Sequence, residues 1–77
     1  MRKAEVEIGR YYRVKVSGQV VPVVLTRYYH TFSGWYGRNL FTGRNIKIRS
    51  AARLRSEISK DHAEKWADLH ERGKYLL

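Results

Sequence analysis

The chain has 77 residues, enough for one domain with a small hydrophobic core and too few for a deep catalytic cleft. It contains no cysteine, which excludes a disulfide, a thiolate nucleophile and a cysteine-ligated zinc site. Sixteen Lys and Arg against seven Asp and Glu give a net charge of +9, which favours a polyanionic partner.

The positive charge is concentrated in the first part of the chain. Residues 1–55 contain twelve Lys or Arg and two Glu, a net charge of +10, whereas residues 56–77 contain four basic and five acidic residues, a net charge of −1. Five of the six glycines and every aromatic residue except Trp66 and Tyr75 also belong to the first part. A basic, aromatic-rich unit followed by a nearly neutral one indicates nucleic acid as the partner.

The first predicted elements form a β-hairpin. Residues 11–16 alternate between apolar and polar side chains, which is typical of a half-buried strand. Ser17 and Gly18 predict a turn, and the β-branched residues of 20–27 predict the second strand. Pro22 cannot donate a ladder hydrogen bond, so we expect it at a sheet edge or at a bulge.

A third and a fourth strand are predicted over residues 35–41 and 45–49, after a loop at residues 30–34. Thr42 and Gly43 predict the tight turn between them, because glycine adopts a positive φ without a steric penalty.

Residues 50–52 allow two interpretations. They form either a short 3₁₀ turn that leads to a brief fifth strand over residues 53–55, or the beginning of a helix that runs to Arg72. We favour the turn and the strand.

The C-terminal helix is predicted over about residues 59–72. Ser59 or Asp61 can cap its N-terminus, Asp61 and Glu64 have the spacing of a capping box, and Gly73 stands where helices often end. We expect its apolar stripe to pack on an open end or flank of the sheet, and docking on a second chain is the alternative. By helical spacing the stripe consists of Ile58, His62, Trp66 and Leu69.

Four or five short strands joined by tight turns, with a 3₁₀-like turn before the last, resemble an SH3-like small barrel of the Tudor or KOW kind. The resemblance is one of fold and covers about residues 6–56. It implies a small barrel of four to five antiparallel strands. Together with the C-terminal α-helix predicted from the sequence pattern, we expect a mainly β fold in a single domain over residues 1–77. The resemblance implies no function, because one fold serves many functions. An OB-type barrel is the competing architecture, although its five strands usually need more residues.

The basic residues of the first part are the main candidates for binding. Cations at alternate strand positions are about 6.6 to 6.8 Å apart, close to the spacing of phosphates, and a guanidinium group binds phosphate oxygens through two hydrogen bonds. We expect Lys47, Arg49, Arg53 and Arg55 to point outward along one region of the sheet. A solvated exterior without a ligand is the alternative, but such surfaces usually mix both signs of charge. The basic candidates are Arg13, Lys15, Arg38, Arg44, Lys47, Arg49, Arg53 and Arg55.

Five aromatic residues lie between Tyr28 and Tyr36. Exposed rings beside arginine stack unpaired bases, so Tyr28, Trp35 and Tyr36 join the candidates. A small barrel also needs large side chains in its core, and strict alternation buries either Trp35 with Phe41 or Tyr36 with Leu40. An aromatic cage for methyl-lysine is disfavoured, because a unit of charge +10 repels a basic ligand.

We expect neither enzymatic activity nor a metal or cofactor. The glycines do not have the spacing of a phosphate-binding loop. His62 and His70 are eight residues apart on the predicted helix, about 12 Å by rise, which is too far to share a metal ion. The carboxylates lie near the N-terminus or on the helix and do not suggest an acid–base pair.

The leading hypothesis is therefore a small non-enzymatic nucleic-acid-binding module that acts mainly through phosphate contacts, with DNA or RNA left open. One alternative is a protein-interaction adaptor that binds an acidic protein or forms a homo-oligomer. Another is a ribonucleoprotein component whose basic face is covered by RNA. Residues 20–25, the longest apolar run, are far fewer than the roughly 20 that span a bilayer, so we expect no membrane partner. Because a chain without cysteine needs no oxidising compartment, we expect a cytoplasmic protein. The adaptor residues would be Trp66, Leu69, Leu76 and Leu77.

Overall fold

The computed structural model describes residues 5–32 and 34–76, with backbone only for Phe32 and residues 74–76. The protein is mainly β, as expected, with five antiparallel strands in one open sheet and a single C-terminal helix. Short 3₁₀ turns span His30–Phe32 and Ala51–Arg53. The other elements are β1 (Tyr11–Val16), β2 (Gln19–Tyr29), β3 (Gly34–Asn39), β4 (Asn45–Ile48), β5 (Leu54–Ile58) and α1 (Lys60–Leu76).

The strands are ordered β4-β3-β2-β1-β5 in the sheet. The first four form a meander, and β5 returns after the second 3₁₀ turn to pair with β1. Strands β4 and β5 are thus the two edges, and no ladder joins them within residues 5–32 and 34–76. The likeness to SH3-like barrels stays a prediction. None of the helical segments among the described residues combines the length and hydropathy that a membrane span requires.

The β1–β2 hairpin is confirmed. Val16 and Gln19 form its last pair, so the loop has only two residues, Ser17 and Gly18. Both have positive φ, 51° and 79°, as a type I′ turn requires, and this turn matches the twist of the two strands. The hairpin therefore holds the end of β1 in a fixed position.

The expectation for Pro22 was wrong. It lies within the central strand β2, opposite Arg13, and not at an edge or a bulge. The β2–β3 ladder begins one residue later, at Val23 and Asn39, so the missing amide hydrogen interrupts no ladder on that side. The Pro22 carbonyl still accepts a hydrogen bond from the backbone N–H of Leu40, at 3.0 Å.

The hydrophobic core lies on one face of the sheet. Trp35 and Phe41 are both buried, so the alternation in β3 places Trp35 inside and leaves Tyr36 on the outer face. β3 ends at Asn39, and Phe41 therefore belongs to the turn that follows the strand. The buried apolar side chains of this core are Tyr12, Val14, Val21, Val23, Leu25, Trp35, Phe41, Ile48 and Leu54.

A buried asparagine organises the turn from β3 to β4. The Oδ1 of Asn39 accepts a hydrogen bond from the N–H of Phe41 at 2.8 Å, and its carbonyl accepts one from Gly43 at 2.7 Å. The N–H of Asn39 donates to the carbonyl of Arg44 at 2.9 Å. Gly43 has a φ of 74°, as predicted for this turn. Asn39 thereby fixes the position of Phe41, on which the helix packs.

The fifth strand is confirmed and is longer than expected. Ser50 begins the preceding 3₁₀ turn, because its Oγ accepts a hydrogen bond from the N–H of Ala52 at 3.1 Å. The strand then continues to Ile58, which pairs with Tyr11 of β1. The helical interpretation of residues 50–55 was therefore wrong, and Ile58 belongs to the sheet and not to the helix stripe.

Helix α1 begins after Ser59, whose Oγ accepts a hydrogen bond from the N–H of His62 at 3.1 Å. Ser59 is thus the N-cap, and the capping box that starts at Asp61 was a wrong prediction. The helix also continues through Gly73 to Leu76. Gly73 is not among the glycines of positive φ, so it does not end the helix as predicted.

The helix packs on the sheet as expected, but its docking face shares only Trp66 with the predicted stripe. Leu69 is 65% exposed and His62 is exposed as well. Phe41 determines the docking face, because its ring stacks on His70 with centroids 3.7 Å apart and lies perpendicular to the Trp66 ring, with centroids 5.6 Å apart. Over residues 60–73 the buried or half-buried residues of the helix are Ala63, Trp66, Ala67, His70 and Gly73.

Two glycine substitutions are expected to act in opposite directions on stability. A Cβ at Gly37 would lie 2.5 Å from Cγ1 of Val23 and 3.3 Å from Cδ1 of Ile48, so Gly37→Ala overpacks the core and should cost about 1 to 3 kcal/mol. A Cβ at Gly73 meets nothing within 4 Å, so Gly73→Ala should stabilise the protein by about 0.5 to 1 kcal/mol. Urea unfolding of both variants measures the two effects. Equal free energies of unfolding for the two variants would contradict the packing described around Gly37 and Gly73.

Candidate nucleic-acid interface

The structure exposes every basic residue predicted to bind nucleic acid, but it does not bring them together in one region of the sheet. Because β4 and β5 are opposite edges, the expectation that Lys47 and Arg49 share one sheet region with Arg53 and Arg55 was wrong. Sequence proximity suggested one row, but the 3₁₀ turn carries the chain from one edge to the other. The exposed basic candidates are Arg13, Lys15, Arg38, Arg44, Lys47, Arg49, Arg53 and Arg55.

Arg10 differs from these residues because it is paired with carboxylates. Its Nε lies 2.7 Å from Oε2 of Glu7, and its Nη1 donates to both carboxylate oxygens of Glu57 at 3.1 Å. The hydrogen bond and the charge of Glu57, together with the charge of Glu7, raise the pKa of Arg10 above its ordinary value. Two of the few acidic residues of the sheet region thus form ion pairs with one arginine.

Three of the candidates line a cleft beside the β1–β2 turn, here called the hairpin cleft. Lys15 reaches it from the end of β1, and Arg53 and Arg55 reach it from the 3₁₀ turn and from β5. Within the described parts of the chain, no carboxylate lies within 4.0 Å of these three cationic groups. The cleft is open, about 330 Å³ in volume, and is lined by Lys15, Ser17, Gly18, Ala52, Arg53 and Arg55.

A second group, here called the aromatic face, consists of Arg27, Tyr29, Tyr36 and Lys47 on the outer side of β2, β3 and β4. Strand register places Tyr36 between Arg27 of β2 and Lys47 of β4. The Arg27 guanidinium carbon lies 5.2 Å from the Tyr36 ring centroid and 5.4 Å from that of Tyr29. The Lys47 ammonium lies 6.0 Å from the Tyr36 centroid, and the two tyrosine rings meet edge to face at 5.0 Å.

A β-bulge produces this arrangement. Leu25 pairs with Gly37 and Arg27 with Tyr36, so Thr26 is the extra residue on β2. The Thr26 hydroxyl donates a hydrogen bond to the Tyr36 carbonyl at 3.2 Å. An open cleft of about 410 Å³ adjoins the face and is lined by Thr26, Arg27, Tyr36 and Asn45.

Sequence reasoning missed Arg27 and Tyr29 as site residues. A partial signal was present, because residues two apart on a strand share a face, and Arg27 adjoins the aromatic-rich segment to which Tyr29 belongs. The second strand was predicted to end at residue 27 and the loop to begin at residue 30, which left Tyr29 outside both elements. In the structure β2 extends to Tyr29, after the bulge has reset the alternation.

The three aromatic candidates have different positions. Trp35 is only 4% exposed and belongs to the core, so its assignment to a binding surface was wrong. Its ring is needed to fill the interior of a small sheet. Tyr28 is half-buried and packs against the core, with its ring 5.8 Å from Trp35 and 4.9 Å from His30. Tyr36 lies on the outer face and lines an open cleft.

The remaining basic candidates lie outside the hairpin cleft. The Arg13 guanidinium carbon is 6.0 Å from the Trp66 ring, at the junction of β1 and the helix. Arg38 pairs with Asn45 in register, so it lies on the same side of β3 as Tyr36 and extends the basic surface beside the aromatic face. Arg44 belongs to the turn held by Asn39.

The helix presents a different surface, here called the helix groove. It is lined by polar residues and by Trp66 and the exposed Leu69. Three i,i+4 ion pairs balance much of the charge of the helix, at 3.1 Å for Lys65 with Asp61. The side chain of Leu76 and the whole of Leu77, both predicted partner contacts, lie outside the described residues. The groove is lined by Ser59, Asp61, His62, Lys65, Trp66 and Leu69.

Comparison of the chain with protein-family models, with curated proteins and with solved structures gives no match. Function is therefore inferred from the chemistry of the surfaces.

Proposed function

We propose that this protein is a small non-enzymatic module that binds nucleic acid mainly through phosphate contacts. The observation that carries the proposal is the hairpin cleft, where Lys15, Arg53 and Arg55 converge without a described carboxylate at salt-bridge distance. Bringing like charges together in a folded protein is unfavourable unless an anion compensates them. A phosphate backbone supplies such anions at a regular spacing.

The rigidity of the cleft supports this function. A two-residue turn fixes the end of β1, and the Ser50 cap fixes the 3₁₀ turn that carries Arg53. Because the backbone that carries these guanidinium groups is already ordered, binding of phosphate costs less conformational entropy than it would for the same groups on a flexible loop. Contacts to phosphate carry little sequence information, so binding would be weakly selective and strongly dependent on salt.

We also propose that the sheet is of the SH3-like type and that the protein is cytoplasmic. The four-strand meander, the 3₁₀ turn before β5 and the return of β5 to β1 support the first proposal. The sequence contains no cysteine, which is compatible with a cytoplasmic location. The proposed polyanionic partner is compatible with that location as well.

Removal of two cations from the hairpin cleft should weaken binding. The double variant Arg53→Gln, Arg55→Gln loses two exposed phosphate contacts, so its affinity for a labelled oligonucleotide should fall about 3- to 30-fold. The slope of log K against log salt should become less steep by about 1.4 to 1.8. Fluorescence anisotropy at several salt concentrations measures both quantities.

The matched control is the double variant Lys60→Gln, Lys65→Gln on the helix. Both double variants lower the net charge from +9 to +7, so a general effect of charge would weaken them equally. The proposal requires the helix variant to bind almost as tightly as the unmodified protein. Equal losses in the two variants, or no binding by the unmodified protein at low salt, would refute the hairpin cleft as the phosphate site.

One observation favours the adaptor as a second candidate function. Leu69 is a large apolar residue that is 65% exposed and lies in one groove with Trp66. A single exposed leucine is common on protein surfaces, so the observation is weaker than the convergence of cations. Trp66 is a poor probe of this surface, because it also packs against Phe41.

Leu69→Ser is the direct test of the adaptor. The residue is exposed, so the change should alter the free energy of unfolding by no more than about 0.5 kcal/mol. If the protein self-associates through the groove, sedimentation should show a dimer for the unmodified chain and a monomer for the variant. The nucleic-acid proposal predicts monomers in both cases and equal affinity for an oligonucleotide.

A further inference from the structure

We propose that the aromatic face is a stacking site for an unpaired base, so that the ligand of this module is a single-stranded nucleic acid. This inference rests on the proposed function and adds the class of strand to it. Its basis is the convergence of two tyrosine rings, an arginine, a lysine and an asparagine on three neighbouring strands.

The first argument is the arrangement of the rings. Tyr29 and Tyr36 meet at an interplanar angle of 81°, so together they form a corner with one ring face turned toward the edge of the other ring. Arg27 lies within 5.4 Å of both ring centroids and adds a planar guanidinium group to the corner. Bases stack on aromatic rings and on guanidinium planes alike.

The second argument is the cleft beside the corner. Its volume of about 410 Å³ is within the range of small-ligand sites, and two of its polar groups can read the edge of a base. The Asn45 carboxamide has two N–H donors and one acceptor, and the Arg27 guanidinium has donors for ring nitrogens, carbonyl oxygens or phosphate. Asn45 is exposed at the beginning of the edge strand β4, so a ligand reaches it without opening the sheet.

The third argument concerns the strandedness of the ligand. In a duplex both faces of a base are covered by its neighbours, and its pairing edge is occupied. Only an unpaired base can place a face on Tyr36 and an edge against Asn45 at the same time. A cationic ligand in the cleft is disfavoured, because Arg27 and Lys47 already lie beside the rings.

The test compares a labelled single-stranded oligonucleotide of about twelve nucleotides and mixed sequence with a duplex of the same sequence. Tyr36→Leu removes the ring but keeps an apolar side chain and the charge. It should weaken binding of the single strand about 5- to 150-fold, the range for loss of one stacked base, and leave the salt slope unchanged. Tyr36→Phe keeps the ring and should bind almost normally. Affinity for the duplex should be the same in all variants.

Tyr11→Leu is the matched control, because Tyr11 is a half-buried tyrosine on β1, away from Arg27 and Lys47 in the strand register. It should not change the affinity for the single strand. Thermal unfolding of each variant verifies the fold. If Tyr36→Leu does not fold, Asn45→Ala supplies the test at an exposed position: weaker single-strand binding with unchanged duplex binding supports the site, and unchanged single-strand binding overturns it.

The failure of this inference is distinguishable from failure of the proposed function. If Tyr36→Leu binds the single strand normally while Arg53→Gln, Arg55→Gln weakens binding, the stacking site is overturned and the phosphate-binding function stands. Equal losses for duplex and single strand in Tyr36→Leu also overturn the stacking site. If the unmodified protein binds neither polymer, both proposals are wrong.

Discussion

The contact between Phe41 and helix α1 determines which part of the sheet surface is open to a ligand. The ring stacks flat on His70 at 3.7 Å and lies perpendicular to the Trp66 ring, while Ala63 is completely buried and allows a close approach. Asn39 holds Phe41 in place through a hydrogen bond to its backbone N–H. The helix is thereby fixed against β1 and β2, and the hairpin cleft and the aromatic face stay uncovered.

The ion pairs are also divided between the helix and the sheet. Helix carboxylates pair with helix cations one turn away, and Arg10 takes up Glu7 and Glu57. The exposed surface of the sheet therefore keeps a net positive charge. We infer two complementary contributions to binding, in which the hairpin cleft holds phosphates and the aromatic face holds a base. The first contribution depends on salt and the second on the planarity of a ring, so the two are separable by experiment.

The sequence predicted the elements better than the surfaces. Alternation and turn chemistry act over a few residues, which is why the turn at Ser17 and Gly18, the positive φ of Gly43 and the short turn before β5 were predicted correctly. Of the helix face only Trp66 was predicted, because the predicted stripe was chosen for large apolar residues. In the structure small alanines and His70, which stacks on Phe41, complete that face. The bulge after Leu25 is set by pairing with β3, and local sequence does not reveal it, so the sequence did not show which face of the sheet Arg27 and Tyr29 share.

The most direct test of the account is to map the contact surface by nuclear magnetic resonance, with ¹⁵N-labelled protein titrated with a single-stranded oligonucleotide. The central claim is that the sheet and not the helix contacts the polyanion. It predicts that the largest amide shift changes occur at Lys15, Arg53 and Arg55 and around Tyr36, with little change over residues 60–73. Shift changes concentrated on the helix groove, with the hairpin cleft unaffected, would contradict it.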